Sequence, residues 1–170
     1  VPAVSRLKVG VIGLGNMGRH HVRIYSELPG VELVAVCDPV APQAQQFASR
    51  YGCQAYTDTD PFLRSSGVQA ISITSPTSTH FALARSALMA GIHVLVEKPI
   101  SETVAEADAL IALATEKQLT LTVGHIERFN PAIVALLTLV RQGALGPIIS
   151  LLGRRASPMP TQIQDANVMI

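Results

Sequence analysis

The stretch that decides the fold is LKVGVIGLGNMG, residues 7–18. It begins with an almost continuous apolar run, Leu7–Ile12, which is typical of a strand buried on both faces of a sheet. A helical pattern follows at 16–28, and a second apolar, β-branched run extends over Val31–Cys37. Strand, helix and strand therefore follow one another within about thirty residues, which predicts one βαβ unit.

The same alternation continues as far as Gly124. Further strands are predicted at 54–56, 70–74, 92–96 and 119–123, and further helices at 40–51, 77–90 and 104–117. A short helix is predicted with Asp60 as its cap and Pro61 in its first turn, and Thr103 and Glu106 have the spacing of a capping box. Strands that alternate with helices predict an α/β fold with a doubly wound parallel sheet.

A different pattern follows the sixth strand. A helix is predicted at 131–142 and a strand at 147–152, which we interpret as the start of an α/β substrate domain. We therefore predict a first domain of residues 1–124 and an incomplete second domain of residues 125–170. The sequence stops inside the apolar run Val168-Met169-Ile170, so we expect a truncated protein.

Composition limits the class of protein. Of the 170 residues, 48% are hydrophobic and 15% charged, which excludes a disordered chain, and the scarcity of aromatics (4%) predicts an aliphatic core. Thirteen Lys and Arg against twelve Asp and Glu, without a basic cluster, give no reason to expect nucleic acid as a partner. No apolar segment approaches the roughly 20 residues of a membrane helix, and no spacing indicates a metal site. Cys37 and Cys53 are expected to be thiols in a cytoplasmic protein.

The glycines of residues 13–18 form a G-x-G-x-x-G motif between a strand and a helix. Gly13 permits the tight turn, Gly15 allows a pyrophosphate to approach the backbone, and Gly18 allows the helix to pack on the strand. With Asn16 and Met17 they begin a helix whose N-terminus offers amide donors and a positive dipole to an anion. The motif predicts a dinucleotide site; the alternative is merely a tight turn.

Asp38 ends the second predicted strand, where an acidic residue of a dinucleotide site accepts hydrogen bonds from the adenosine ribose. Its charge would repel a 2′-phosphate, and the residues at 39–42 include no Arg to bind one. NAD is therefore favoured over NADP. The alternative is that Asp38 only caps the helix that begins near Val40.

Polar residues also follow the fourth and fifth strands, at the edge of the sheet where ligands of such folds bind. The cofactor candidates there are Thr74, Ser75, Pro76, Thr77, His80, Glu97 and Lys98. Alternatively, Thr77 is a helix N-cap, His80 an ordinary first-turn residue, and Glu97-Lys98 a solvated charge pair. His20, His21 and His93 belong to no motif and are assigned surface or packing roles.

Together these motifs resemble the Gfo/Idh/MocA family, named for glucose-fructose oxidoreductase and inositol dehydrogenase. The resemblance rests on the glycine loop, Asp38, the Thr-x-Pro-x-x-x-His-like residues 74–80, and Glu97-Lys98-Pro99. The residues GHIERFNP, 124–131, are similar to those of nucleotide-sugar members that act on the 3-hydroxyl of UDP-N-acetylglucosamine. The resemblance covers nearly the whole chain.

The resemblance implies an NAD-dependent oxidoreductase that transfers a hydride between a sugar or nucleotide-sugar hydroxyl carbon and nicotinamide, and that is a homo-oligomer when intact. The resemblance makes Lys98 the candidate for both catalysis and substrate binding. It also implies that the peptide bond before Pro99 is often cis. Arg128 matches an arginine near both nicotinamide and substrate, and His125, at a strand end, is a further substrate-binding candidate. Ile126 stands where many members carry Asn.

Family members are longer and carry an Asp-x-x-x-His motif whose His often serves as the general base. The resemblance places that motif immediately after Ile170, so we expect these 170 residues to bind NAD without oxidising a sugar. Two other classes remain open. One is a noncatalytic NAD-binding sensor, which would not need Lys98, and the other is an adenosylmethionine-dependent methyltransferase.

Overall fold

The computed structural model describes residues 6–154. Their core element is a sheet of six parallel strands in the order β3-β2-β1-β4-β5-β6. The strands are β1 (Leu7–Ile12), β2 (Val31–Cys37), β3 (Gln54–Tyr56), β4 (Ala70–Ile73), β5 (His93–Val96) and β6 (Leu121–Val123). The helices are α1 (Gly18–Glu27), α2 (Ala41–Tyr51), α3 (Thr59–Ser65), α4 (Thr77–Met89), α5 (Val104–Glu116) and α6 (Pro131–Arg141). The predicted doubly wound α/β fold is confirmed.

The sheet is covered on both faces because its strands carry apolar side chains on both. Val9 and Val11 of β1 pack with Val22 of α1 in one cluster of buried residues. A second cluster contains Ile71 and Ile73 of β4 together with buried residues of α4 and α5. Successive side chains of a strand point to opposite faces, so the continuous apolar runs of the sequence supply both clusters.

The direction in which the strand order runs changes at β1. β1 pairs with β2 on one side and with β4 on the other, and the chain runs outward from β1 in both directions. In an open α/β sheet, ligands bind outside the carboxyl ends of the strands at such a reversal of order. The loops after β1 and β4 flank this point.

One of the two predictions about helix caps was wrong and the other is confirmed. Asp58, not Asp60, caps α3, and its side chain accepts a hydrogen bond from the backbone N–H of Asp60. The capping box of Thr103 and Glu106 on α5 is confirmed. Leu110 and Ala114 of α5 lie in the core, whereas Val104 and Ile111 of the same helix are exposed.

The chain divides into two compact units, Val1–Gly124 and His125–Ile170. The described part of the second unit contains a 3₁₀ turn at Ile126–Phe129 and then α6. The strand predicted at 147–152 is absent: these residues have no regular structure, since a strand needs a partner for its hydrogen-bond ladder and none pairs with them among the described residues. The end of the chain, including 168–170, lies outside the described residues.

Candidate functional site

Two of the three motif glycines are required by the protein's own backbone. Gly13 has a φ of 88°, and a Cβ there would lie 2.7 Å from the backbone nitrogen of Ser75. A Cβ on Gly18 would overlap the carbonyl oxygen of Gly13 and would lie 2.9 Å from the hydroxyl oxygen of Thr74. Side chains are thus excluded at both positions because the β1 loop, the start of α1 and the β4 loop are in close contact.

Gly15 differs from the other two glycines. No atom lies within 4 Å of where its Cβ would be, and its φ is not positive. The fold itself therefore does not require glycine at this position. The space beside its backbone is open, as a backbone that receives a phosphate must be.

The N-terminus of α1 adjoins this open space. Met17 is its N-cap residue and makes no side-chain hydrogen bond to the helix, and the first turn contains no acidic residue. The N–H groups of Arg19 and His20 donate to the carbonyl oxygens of Gly15 and Met17, and the helix dipole adds partial positive charge at this end of α1. Asn16 and Met17 are exposed in the turn that leads into the helix. This arrangement favours an anion, such as a pyrophosphate.

Asp38 is 7% exposed and is held by the glycine loop. Its Oδ2 accepts a hydrogen bond of 2.8 Å from the N–H of Leu14, and its Oδ1 accepts one of 2.9 Å from the N–H of Val40. The N-cap residue of α2 is Val40, without a side-chain cap, so the alternative role of Asp38 as that cap is wrong. A carboxylate has about four acceptor sites, so this one retains capacity for two further donors.

The loop after β4 is tied to the glycine loop. The Thr74 hydroxyl donates to the carbonyl oxygens of Gly13, at 2.5 Å, and Ile12, at 3.1 Å. The Ser75 and Thr79 hydroxyls are 2.6 Å apart. The residue that precedes α4 is Pro76, which cannot cap with its side chain, and the helix begins at Thr77, so the alternative that Thr77 is the N-cap is wrong. The two loops form one connected rim.

His80 lies inside the protein and is 1% exposed. Its Nδ1 is 2.8 Å from the carbonyl oxygen of Pro99, and its Nε2 is 2.9 Å from that of Ser75. The ring thus connects the loop after β4 to the loop after β5. It is not the ordinary first-turn residue of the alternative, and in this arrangement both ring nitrogens face the protein's own carbonyls.

Glu97 and Lys98 follow β5 and differ in exposure. Glu97 is buried and Lys98 is exposed, so the alternative of a solvated charge pair is wrong. The backbone N–H of Lys98 donates to Glu97 Oε2 at 3.2 Å, and a Cβ on Gly124 would lie 2.6 Å from Glu97 Oε1. The Lys98–Pro99 peptide bond is cis, as the family resemblance implies. Lys98 is thus exposed immediately after β5, with its backbone N–H hydrogen-bonded to the buried carboxylate of Glu97.

Glu97 belongs to a buried and partly buried polar cluster that the sequence interpretation missed. His21 of α1 contacts Glu97 Oε1 through Nε2 at 3.3 Å and the Ser72 hydroxyl through Nδ1 at 3.0 Å. The Tyr25 hydroxyl lies 2.6 Å from that of Ser72. Burial lowers the pKa of His21 against the opposing effect of Glu97, and burial raises the pKa of Tyr25. A serine within the apolar strand β4 is the only sequence signal that pointed here.

Two further candidates belong to the second unit. His125 precedes the 3₁₀ turn and accepts, through its carbonyl oxygen, a hydrogen bond of 3.1 Å from the N–H of Arg128. Both side chains are exposed. Their assignment to substrate or cofactor stays a prediction.

The two cysteines are thiols, as expected. Burial raises the pKa of Cys37 to about 12 and that of Cys53 to about 11. Within residues 6–154, no three His, Cys, Asp or Glu side chains are grouped so that they could hold a metal ion. No helix in this part of the chain is long and apolar enough to cross a membrane.

Relatives with known activities match over most of the chain. It is 40% identical over 164 residues, 96% of this chain and 50% of the relative, to UDP-N-acetylglucosamine 3-dehydrogenase of Acidithiobacillus ferrooxidans. It is 31% identical over 91% of its length and 48% of the relative to inositol 2-dehydrogenase of Salmonella typhimurium. The chain therefore spans about half the length of these curated relatives.

Solved structures show the same fold. The Acidithiobacillus ferrooxidans UDP-N-acetylglucosamine 3-dehydrogenase superimposes with a TM-score of 0.74 at 42% identity, over 83% of this chain and 44% of that one. Scyllo-inositol dehydrogenase from Lactobacillus casei, with bound NAD(H) and scyllo-inositol, gives a TM-score of 0.79 at 26% identity, over 83% of this chain and 42% of that one. Residues 7–125 match the family model described as an oxidoreductase family with an NAD-binding Rossmann fold. The chain belongs to this Gfo/Idh/MocA oxidoreductase family, and its cofactor is NAD.

Proposed function

We propose that the chain is the cofactor-binding part of a dehydrogenase that oxidises a hydroxyl of a sugar or nucleotide sugar. The observation that carries the proposal is the hydrogen bond from the glycine-loop N–H of Leu14 to the Asp38 carboxylate. It joins the phosphate-binding loop and the ribose-binding acid into one unit, which is what a dinucleotide requires. The family match favours an oxidoreductase over the methyltransferase alternative.

The residues of the first unit fit NAD. The open backbone at Gly15 and the N-terminus of α1 would hold the pyrophosphate, and Asp38 would accept the ribose hydroxyls. The rim of Thr74 to Thr77 would border the cofactor, while Thr74 and His80 act mainly by fixing the loops to one another. When bound, NAD supplies the hydride acceptor for oxidation of a carbinol carbon.

Lys98 is the residue of this unit proposed to act on the substrate. It is exposed at the carboxyl end of β5, and its backbone is held by the buried Glu97. An ammonium there would donate a hydrogen bond to the reacting hydroxyl and stabilise the oxygen as its proton leaves. We further propose that 125–170 begins the substrate domain, with His125 and Arg128 as substrate-side residues.

The substrate class is proposed from the relatives. The chain is 40% identical over 96% of its length to a dehydrogenase of UDP-N-acetylglucosamine, and 31% identical over 91% of its length to an inositol 2-dehydrogenase. A UDP-sugar is therefore the first substrate to test and inositol the second.

A chimera tests the function most sharply. Residues 1–124 would replace the corresponding part of the Acidithiobacillus UDP-N-acetylglucosamine 3-dehydrogenase, and NADH absorbance would be followed with UDP-N-acetylglucosamine, myo-inositol and scyllo-inositol. We expect oxidation of one of them and a loss of about 10²- to 10⁴-fold in the Lys98→Met chimera. A chimera that binds NADH and oxidises none of them would favour the noncatalytic sensor. The same assay on residues 1–170 tests the prediction that these residues alone are inactive.

We also propose that the protein is cytoplasmic and that it forms a homo-oligomer. The two thiols, Cys37 and Cys53, support the cytoplasm, where disulfides are rare. Homo-oligomeric assembly follows only from the family resemblance, and light scattering on the purified protein tests it.

A further inference from the structure

The polar cluster that contains Glu97 joins three parts of the first unit. His21 and Tyr25 come from α1, Ser72 from the centre of β4, and Glu97 from the end of β5. Ser72 is fully buried, and its side chain points away from the second apolar cluster, to which its neighbours Ile71 and Ile73 belong. It therefore faces α1. No buried side-chain polar atom of the described residues lacks a hydrogen-bond partner, so this cluster is a complete network.

Counting donors and acceptors fixes the direction of the network. A carboxylate only accepts, so His21 Nε2 must carry the hydrogen that points to Glu97 Oε1. With a neutral ring, Nδ1 then accepts, and the Ser72 hydroxyl donates to it. The Ser72 oxygen is in turn left to accept from the Tyr25 hydroxyl. Every hydrogen bond therefore points from Tyr25 through Ser72 and His21 to Glu97.

The other end of the network is the backbone of Lys98. Glu97 uses Oε1 for His21 and Oε2 for the N–H of Lys98. Holding both carboxylate oxygens fixes the side chain of Glu97 and, through it, the direction in which Lys98 leaves the strand. Burial makes this network sensitive to a missing member, because a buried polar group without a partner is costly.

We propose that His21, as the neutral Nε2–H tautomer, is a positioning residue that holds Glu97 and thereby orients Lys98 for its reaction. This inference rests on the proposed function of Lys98. It also assigns Ser72 and Tyr25 a role, which is to fix the tautomer of His21. The lowered pKa of His21 agrees with the neutral ring. The titratable groups that face His21 are Glu97 from β5 and His20 and Tyr25 from its own helix.

The test is an NMR titration of the ¹⁵N-labelled 170-residue protein from about pH 5 to 8, the range in which histidine titrates. We expect the ring nitrogens of His21 to show the Nε2–H tautomer at neutral pH and to titrate with a midpoint below 6.5. The backbone amide resonance of Lys98 should shift with the same midpoint, because protonation of His21 acts on the carboxylate that this amide contacts.

Two variants separate positioning from simple packing. His21→Gln keeps a donor for Glu97 but cannot titrate, so the Lys98 amide should lose its shift in this pH range while the fold is retained. His20→Gln, on the exposed neighbour, is the matched control and should keep that shift. Persistence of the Lys98 shift in His21→Gln, or an Nδ1–H tautomer in the unsubstituted protein, would overturn the proposal.

The tautomer measurement needs no variant, so it decides the question even if His21→Gln unfolds. None of these measurements uses cofactor or substrate. Coupled titration in a protein that fails to bind NADH would therefore refute the proposed function and leave the network itself standing.

Discussion

Substitution of Gly15 is expected to separate cofactor binding from folding. Gly15 has no atom within 4 Å of an added Cβ, whereas a Cβ on Gly18 would overlap the carbonyl oxygen of Gly13. Gly15→Ala and Gly15→Val should therefore fold normally, yet they place atoms in the space through which a phosphate would reach the backbone. Gly18→Ala should instead damage the fold.

The size of both effects follows from these contacts. A hydrogen bond to a charged group is worth about 1.5–3 kcal/mol, so losing one to the pyrophosphate weakens binding about 10- to 150-fold. We expect this loss for Gly15→Ala and a greater one for Gly15→Val. The overlap in Gly18→Ala should cost about 1–3 kcal/mol of unfolding free energy, or roughly 2–12 °C in Tm.

The assay pairs calorimetric titration of NADH with thermal unfolding followed by circular dichroism, on the 170-residue protein and the three variants. A folded Gly15→Val protein that binds NADH with unchanged affinity would show that the glycine loop is not the phosphate site. Equal Tm losses at Gly15 and Gly18 would refute the steric argument.

Three further predictions concern polar side chains that are buried, as in Asp38 and His80, or partly buried, as in His21. Asp38→Ala should lower the unfolding free energy, measured by urea unfolding, by at least about 1.5–3 kcal/mol, because the N–H groups of Leu14 and Val40 lose their acceptor. It should also narrow any preference for NADH over NADPH. An unchanged unfolding free energy would contradict the first expectation. His80→Ala should cost about 2–5 kcal/mol, since it removes a buried ring that holds two loops, and urea unfolding measures it. The lowered pKa of His21 means that the unfolded chain binds the proton more tightly, so the unfolding free energy should fall as pH drops below 6.5, by up to about 1.4 kcal/mol per pH unit. His21→Gln should flatten that dependence, and an equal slope in this variant would assign it to other groups.

The strands of the sheet could be predicted from the sequence because most of them are apolar runs that end at turn residues. Leu7–Ile12 and Val31–Cys37 are apolar runs bounded by turn residues, and they form strands with the predicted bounds. The prediction of a strand at 147–152 was wrong, because apolar residues alone do not provide a neighbouring strand with which to pair.

The site was predictable where the motif is local and not where it depends on distant contacts. Gly13 and Gly18 are needed for the close approach of loops that the motif describes. The burial of Glu97 and its contact with His21 join residues 76 positions apart, and no periodicity encodes such a pair. The same holds for His80, whose ring reaches the carbonyl of Pro99.

The central claim is that the Gly13–Gly18 loop and Asp38 form an NAD site, and calorimetric titration of the unsubstituted 170-residue protein with NADH and with NADPH tests it most directly. We predict that NADH binds and that NADPH binds more weakly, because the buried Asp38 carboxylate, with no Arg at 39–42, would oppose a 2′-phosphate. Binding of neither nucleotide, or an equal or tighter affinity for NADPH, would contradict the account.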